Sequence, residues 1–460
     1  MYSSSLRFFG GALAPCARAL FARIPKALAK PFPGLFSFSS GASSALWTFP
    51  SVLGSSIIIA WAAEAAQFLV SQGLALAILA WLQTLPEFAV EAVIAWQAGQ
   101  TVKLGADPYS VAHATALVSA NFTGSLRLLV GLGWPMIYVT AAFFRRRQGS
   151  RLRRIRLDRE HAVEVVFLLI SIAYFFLIWA KGTLNLIDSG WLALIYLVYL
   201  YFLNKIPPQS EEKIEDMDRV PQIILAQRPS ARNSAIVGLF LVGGVALYFT
   251  AGPFLESLKG LAAALGLSTF VFVQWVAPFL SEFPEKVSAF NWARKVSTAP
   301  MALMNMVSSN INQWTVLVAM LPIAYAWSLG RVETIVFDQH QELEILLTLA
   351  QSLLGALLLA NMRFHWWEAI LLFSLWIIQF VMSGFEKSMD PMMVHNGLAI
   401  WVSGWLPVRA DQVENFAHRL KEGVTILYFL WSAITLIVFM IKRRGLEAIA
   451  IFPKLVREHW

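Results

Sequence analysis

The chain has 460 residues, 58% of them hydrophobic and 14% charged, with a formal charge of +8. A soluble domain carries about 25% charged residues, so an ordinary soluble protein is excluded, and a basic excess gathered in a few loops fits the positive-inside rule rather than nucleic-acid binding. The single cysteine, Cys16, excludes an internal disulfide framework and any multi-cysteine metal site, and no Walker A, HExxH or dinucleotide-binding glycine motif is present.

Residues 1–45 form a basic N-terminal arm with Arg7, Arg18, Arg23, Lys26 and Lys30 and no acidic residue. Its composition is that of a targeting-like or disordered segment. Hydropathy then predicts spans at 46–68, 73–98, 111–143, 162–180 and 184–204, a first five-helix unit over 46–204. A polar linker occupies 205–233. Spans at 234–257, 264–292, 300–328, 344–361 and 364–385 form a second five-helix unit over 234–385. The remaining segment, 386–460, offers a semi-polar stretch at 386–420, read as an external loop or a re-entrant piece, one further span at 422–441, and a cytoplasmic tail. The expected fold class is an all-α polytopic membrane protein of about 10–11 transmembrane helices.

Loop charge orients these spans. The segment RRRQGSRLRRIR (145–156), the linker, Arg294 with Lys295, and the tail with Lys442, Arg443 and Arg444 all fall on the cytoplasmic side if the spans alternate. QTVKLGADPYS and RVETIVFDQHQE, poor in Lys and Arg, fall on the other. The basic arm sits on the wrong side of this scheme unless it is cleaved or crosses once more. Five spans, a cytoplasmic linker and five spans enter the membrane from opposite sides, which marks two inverted-topology five-helix repeats.

The two units carry matched polar residues. Pro86 and Glu87 lie within the second span, Pro284 and Glu285 within the seventh. A carboxylate at bilayer depth costs about 2.5–3.5 kcal/mol, and proline there removes a backbone hydrogen bond. Asn121 in SANFTGS and Asn305 in LMNMVSSN follow in the next spans, with Ser125 and Ser309 one turn on. Thr84, Ser281 and the carbonyls released by the prolines are hard oxygen ligands. With Glu87 and Glu285 they suit Na+ or Ca2+. The plainer reading is a capped proline kink and Asn or Ser bonding across helices; the duplication favours a site. Glu64, Glu91 and Glu282 are further intramembrane acids, and Arg127 and Lys286 are the bases. Glu282 and Lys286 are spaced to pair at i,i+4. Arg127 is expected to reach Glu91 across helices, the alternative for both bases being snorkelling. Glu64 either lines an ion path or pairs with a nearby base. The histidines show no metal spacing, and His113 is the one candidate for a titrating role.

Taken in order, Thr84 or Ser281, Pro-Glu, then Asn121 with Gly124 and Ser125 or Asn305 with Ser309 and Asn310 resemble the sodium/calcium exchanger family of cation antiporters. The resemblance covers about 46–143 and 234–328. It implies ten core helices and two repeats meeting at the bilayer midplane. It also implies that Glu87 and Glu285 bind Ca2+ and Na+ in turn, with Thr84, Ser281, Asn121 and Asn305 as supporting ligands and Glu282 beside them. Ser125, Ser309 and Asn310 match positions that pack or act as secondary ligands. The chain departs from the family pattern at Gln83, Glu282, Leu126, Arg127 and Lys286, and at Leu117 and Met301 in place of small hydroxyl residues. Several Na+ ligands are thus changed, and Arg127, Lys286, Glu91 and Glu64 become candidates for tuning the charge.

The expected function is secondary active antiport, with no enzymatic activity and no cofactor. Ca2+ or another small cation is exchanged for Na+ or H+ by alternating access. The alternatives are a proton-coupled monovalent cation exchanger on the same fold, or a non-transporting membrane partner or sensor. Expected partners are the lipid bilayer and small inorganic cations, and no nucleic acid; the sequence specifies no oligomeric state. The expected place is the cell (inner) membrane, or an organelle membrane if the arm is a transit peptide.

Overall fold

The computed structural model describes residues 41–69, 79–205, 214, 217–387, 395–442 and 445–459. The basic arm expected at 1–45 lies outside these residues, apart from its last five. In the first unit, α1 (Ala45–Ala66) is followed by a helical stretch at 79–83 that breaks at Thr84. Helix α2 (Leu85–Lys103) starts afresh with Pro86 in its first turn. Proline cannot continue a helix, but its fixed φ and missing N–H fit the first turn of a new one. Asp107 caps α3 (Pro108–Leu128), accepting from the amides of Tyr109 and Ser110. Helix α3 passes through one wide π turn, Leu129–Gly133, into α4 (Trp134–Arg147). Strand β1 (Arg154–Arg156), α5 (Ala162–Lys181), β2 (Thr183–Leu184) and α6 (Leu186–Lys205) complete the unit.

The linker carries the short α7 (Arg219–Leu225). The second unit repeats the first. Helix α8 (Pro229–Leu265) precedes α9 (Thr269–Ser281), a break at Glu282, and α10 (Phe283–Arg294) with Pro284 in its first turn. Helix α11 (Ala299–Asn312) passes through a second π turn, Gln313–Leu317, into α12 (Val318–Leu329). Strand β3 (Ile335–Val336), α13 (Gln339–Leu359), β4 (Arg363–His365) and α14 (Trp366–Ser383) follow. The breaks precede both Pro-Glu pairs, and each π turn starts four residues after its serine, Ser125 or Ser309. The strands pair between units. Strand β1 is antiparallel to β4, with Arg154 opposite His365, and β2 to β3, with Thr183 opposite Val336. Helix α5 separates β1 from β2, so the pairs close opposite ends of the molecule, as two-fold related units require.

Every predicted span is mainly helical over its described residues, with interruptions at Thr84, 266–268 and Glu282 and turns or short strands at some ends. Among the described residues, eight helices are long and apolar enough to cross a membrane. The broken helices and the α11–α12 rod are not among the eight: α9 and α10 are too short, and polar residues lower the apolar content of α2 and of the rod. The apolar stretch of α13 is 78% buried against other helices, that of α8 only 28%. Exposed Leu241, Val245, Ile426, Leu430 and Ile437 give the peripheral helices a lipid-facing surface. The 386–420 region is largely helical over its described residues. It contains α15 (Gly397–Trp405) and the start of α16 (Ala410–Lys442), a helix that begins well before the predicted 422. The chain ends in α17 (Glu447–His459), which packs on α5.

Candidate cation site

Each helix break sets an acid in the first turn of the half-helix that follows, Glu87 in α2 and Glu285 in α10. Unsatisfied N–H groups make a helix N-terminus partly positive, which offsets some of the cost of burying a carboxylate there. Glu87, Glu91, Glu282 and Glu285 are all at most 1% exposed. Glu87 lies within electrostatic reach of the other three.

Donors are shared unevenly among these four. Gln313 Nε2 donates to Glu87 Oε2 at 2.7 Å and to Glu282 Oε1 at 2.9 Å. Ser125 Oγ also donates to Glu282 Oε1, and Lys286 Nζ lies 2.5 Å from Glu282 Oε2. Glu282 is therefore engaged on both oxygens, and its expected pairing with Lys286 is present. Glu87 Oε1 and both oxygens of Glu91 and of Glu285 are buried with no hydrogen-bond partner. A buried acceptor left unpaired costs about 1–3 kcal/mol, more when charged. An oxygen-seeking cation would supply what these oxygens lack.

The amides and hydroxyls fall into two groups. Asn121 lies alongside Glu91, and Ser309 faces Glu285, neither with a hydrogen bond of good geometry. Asn305 Nδ2 donates to Gln83 Oε1 at 3.3 Å, Gln83 Nε2 to Ser288 Oγ at 3.4 Å, and Ser288 Oγ to Glu64 Oε1 at 2.8 Å. This line joins Glu64 on α1 to the centre. The other hydroxyls turn back into their own helices: Thr84 Oγ1 donates to the Trp81 carbonyl at 2.8 Å and Ser281 Oγ to that of Ala277 at 3.0 Å. Asn310 Nδ2 likewise bonds the Met306 carbonyl at 3.3 Å. Gly124 explains the close approach of α3 and α9: a Cβ there would lie 1.7 Å from the Gln274 carbonyl oxygen.

Arg127 does not pair with Glu91, and the expectation is corrected. Its Nη2 lies 2.6 Å from Glu344 Oε2, its Nη1 3.3 Å from Gln379 Oε1, and its guanidinium 5.0 Å from the Trp275 ring centre. Two residues beyond Ser125 is about 200° around an α-helix, so Arg127 points away from the face that presents Asn121 and Ser125. Of the two expected bases, only Lys286 offsets the central acids. Sequence reasoning missed Gln313, although Asn305, Ser309 and Gln313 recur every four residues and so share one helix face.

Fold and site together define a polytopic membrane transporter in which two inverted repeats enclose a shared, acid-rich centre. The chain belongs to the sodium/calcium exchanger family: the family described as sodium/calcium exchanger protein matches residues 40–205 and 235–385. It is thereby a multi-pass integral membrane cation antiporter. It is similar to the crystal structure of the H+/Ca2+ exchanger CAX at 27% identity, over 92% of this chain and 93% of that one, with a TM-score of 0.74. Native YfkE is similar at 16% identity over 80% of this chain and 99% of that one, TM-score 0.50. The sodium-calcium exchanger NCX_Mj is similar at 19% identity over 75% and 98%, TM-score 0.47. Among curated proteins, none matches the chain.

Proposed function

We propose that the chain binds Ca2+ between Glu87 and Glu285 and exchanges it for H+ by alternating access between the two sides of the membrane. The observation that carries this reading is the set of unpaired carboxylate oxygens on Glu87, Glu91 and Glu285 in a centre that holds one ammonium, Lys286. Hard oxygens in this number suit Ca2+. When the divalent ion leaves, protons on the same carboxylates restore the charge balance. Glu87 and Glu285 are the central ligands, Glu91 and Asn121 assist from α2 and α3, and Asn305 and Ser309 from α11. Thr84 and Ser281 offer lone pairs at the ends of the broken helices. Glu282, held by Lys286, Ser125 and Gln313, is the fixed strut that orients the Gln313 amide on Glu87. The similarity to the H+/Ca2+ exchanger over nearly the whole chain supports H+ over Na+ as the coupling ion, as do the altered Na+ positions of the family pattern. The basic segments at 145–156 and 205–233 favour a cell-membrane orientation with that end in the cytoplasm.

Reconstituted vesicles test the reading. A pH gradient should drive ⁴⁵Ca2+ uptake, a Na+ gradient of equal size should not, and Glu87→Gln or Glu285→Gln should each abolish uptake. Undiminished flux in either variant would sink the assignment, and Na+-driven flux at the same rate would overturn the coupling ion.

A further inference from the structure

A second group of charges is buried beside the candidate site, in a part of the molecule the transport reading does not use. Glu344 on α13 is 0% exposed, Arg127 2%, Lys421 3% and Glu386 7%. Glu344 Oε2 receives Arg127 Nη2 at 2.6 Å and Gln274 Nε2 at 2.8 Å. Its Oε1 receives the ammonium of Lys421, which also contacts Glu386 Oε2. His340, one turn before Glu344, places Nε2 4.0 Å from Glu344 Oε1. Lys421 comes from α16, the helix outside the two repeats.

One ligand atom each from His340, Glu344 and Glu386 lies within 4.8 Å of the other two. A single cation can span that spacing, and the ammonium of Lys421 already bridges the two carboxylates. Its charge and that of Arg127 balance Glu344 and Glu386. The ligand set is not used up: Glu386 Oε1 and His340 Nε2 are buried with no hydrogen-bond partner. A cavity of about 600 Å³ lined by Asp338, His340, His418 and Glu422 reaches His340. The other repeat carries a counterpart. Asp158, Glu160 and His161 form a similar group, and His161 Nδ1 lies 3.1 Å from Glu164. Asp158 and Asp338 precede equivalent helices, and Glu164 and Glu344 each follow six residues later.

We propose that His340, Glu344 and Glu386 form a second cation site, separate from the transported one, whose resident cation is the tethered ammonium of Lys421, and that removal of this ammonium opens the site to a divalent ion. Carboxylate and imidazole donors together suit an ion such as Mn2+. A lysine supplies a single positive charge from a flexible stem and cannot diffuse away. Through Glu344 this fixed charge reaches Arg127, two residues from Ser125, so α16 is bolted to the helix that holds Glu282 in place.

The test uses the full chain in detergent, with Glu87→Gln and Glu285→Gln in every sample to silence the transported site. Mn2+ binding is read by electron paramagnetic resonance, and stability by the thermal midpoint. The background protein is expected to show no Mn2+-dependent midpoint shift. Adding Lys421→Met should give one more bound Mn2+ per chain and a midpoint that rises with Mn2+, since a ligand that binds only the folded state stabilises it. Adding Glu386→Gln as well should remove both effects. Folded Lys421→Met protein that binds no extra Mn2+ overturns the proposal, and so does equal binding by the background. If Lys421→Met fails to fold, purification with Mn2+ should restore it; failure with and without the ion also counts against the site.

Discussion

The two buried charged centres of this molecule differ in what balances them. Around Gln313, four carboxylates meet one ammonium, and Glu87, Glu91 and Glu285 keep oxygens without a hydrogen bond of good geometry. Around Glu344, two carboxylates meet a guanidinium and an ammonium. Both centres are buried and both are acidic in part, so burial of an acid does not by itself distinguish a transport site. The balance does. At low effective dielectric an uncompensated carboxylate strongly attracts a mobile cation, whereas a paired one has already spent that attraction on its partner. Helix α3 touches both centres, presenting Ser125 to one and Arg127 to the other.

The largest effect should come from equalising the two. Glu87→Gln with Glu285→Gln removes two of the three uncompensated carboxylates, and equilibrium ⁴⁵Ca2+ binding should fall to background. Next is Lys421→Met, which leaves Glu386 and half of Glu344 unpaired. Breaking a buried ion pair on one side costs about 3–5 kcal/mol, so the thermal midpoint without divalent ions should drop sharply. Lys421→Met with Glu386→Gln should recover much of the loss, because it restores neutrality; no recovery would mean that packing rather than charge holds α16. Gly124→Ala should cost about 1–3 kcal/mol by overpacking. It pushes α3 from α9 and so lifts Ser125 off Glu282, and the expected readout is a raised KM for Ca2+ with a smaller change in kcat. The smallest effect belongs to an exposed acid. The side chain and amide of Ser110 hold the Asp107 carboxyl below its ordinary range. Its capping contribution is therefore present at neutral pH and lost as pH falls through that lowered value. Asp107→Ala should lower the midpoint slightly at neutral pH and not at all in acid. A large effect there would blur the contrast between water-screened and buried charge.

The architecture was legible in the sequence for a local reason. Lipid offers no partners to backbone groups, so each crossing must be a helix of sufficient apolar length. The breaks at Thr84 and Glu282 follow from Pro86 and Pro284 in the same local way. The duplicated Pro-Glu and asparagine residues marked equivalent places in the repeats, and the structure does bring Glu87, Glu285 and Glu282 into one centre. Glu344 and Lys421 were hidden because a hydropathy reading trims its spans at charges. It placed them at the edges of 344–361 and 422–441, while the helices begin at Gln339 and Ala410 and carry both residues inside.

By itself, then, the sequence determined which segments form helices, where they break, and which acids sit at the breaks. Those properties depend on residues within a few turns of one another. Only the tertiary structure decided which acids are compensated. Arg127 went to Glu344 rather than Glu91, Lys421 filled the space between Glu344 and Glu386, and Gln313 reached across to Glu87. Hydropathy adds up along the chain, whereas charge balance is settled between side chains that meet in space, and residues 127 and 344 meet only once α3 has crossed α13.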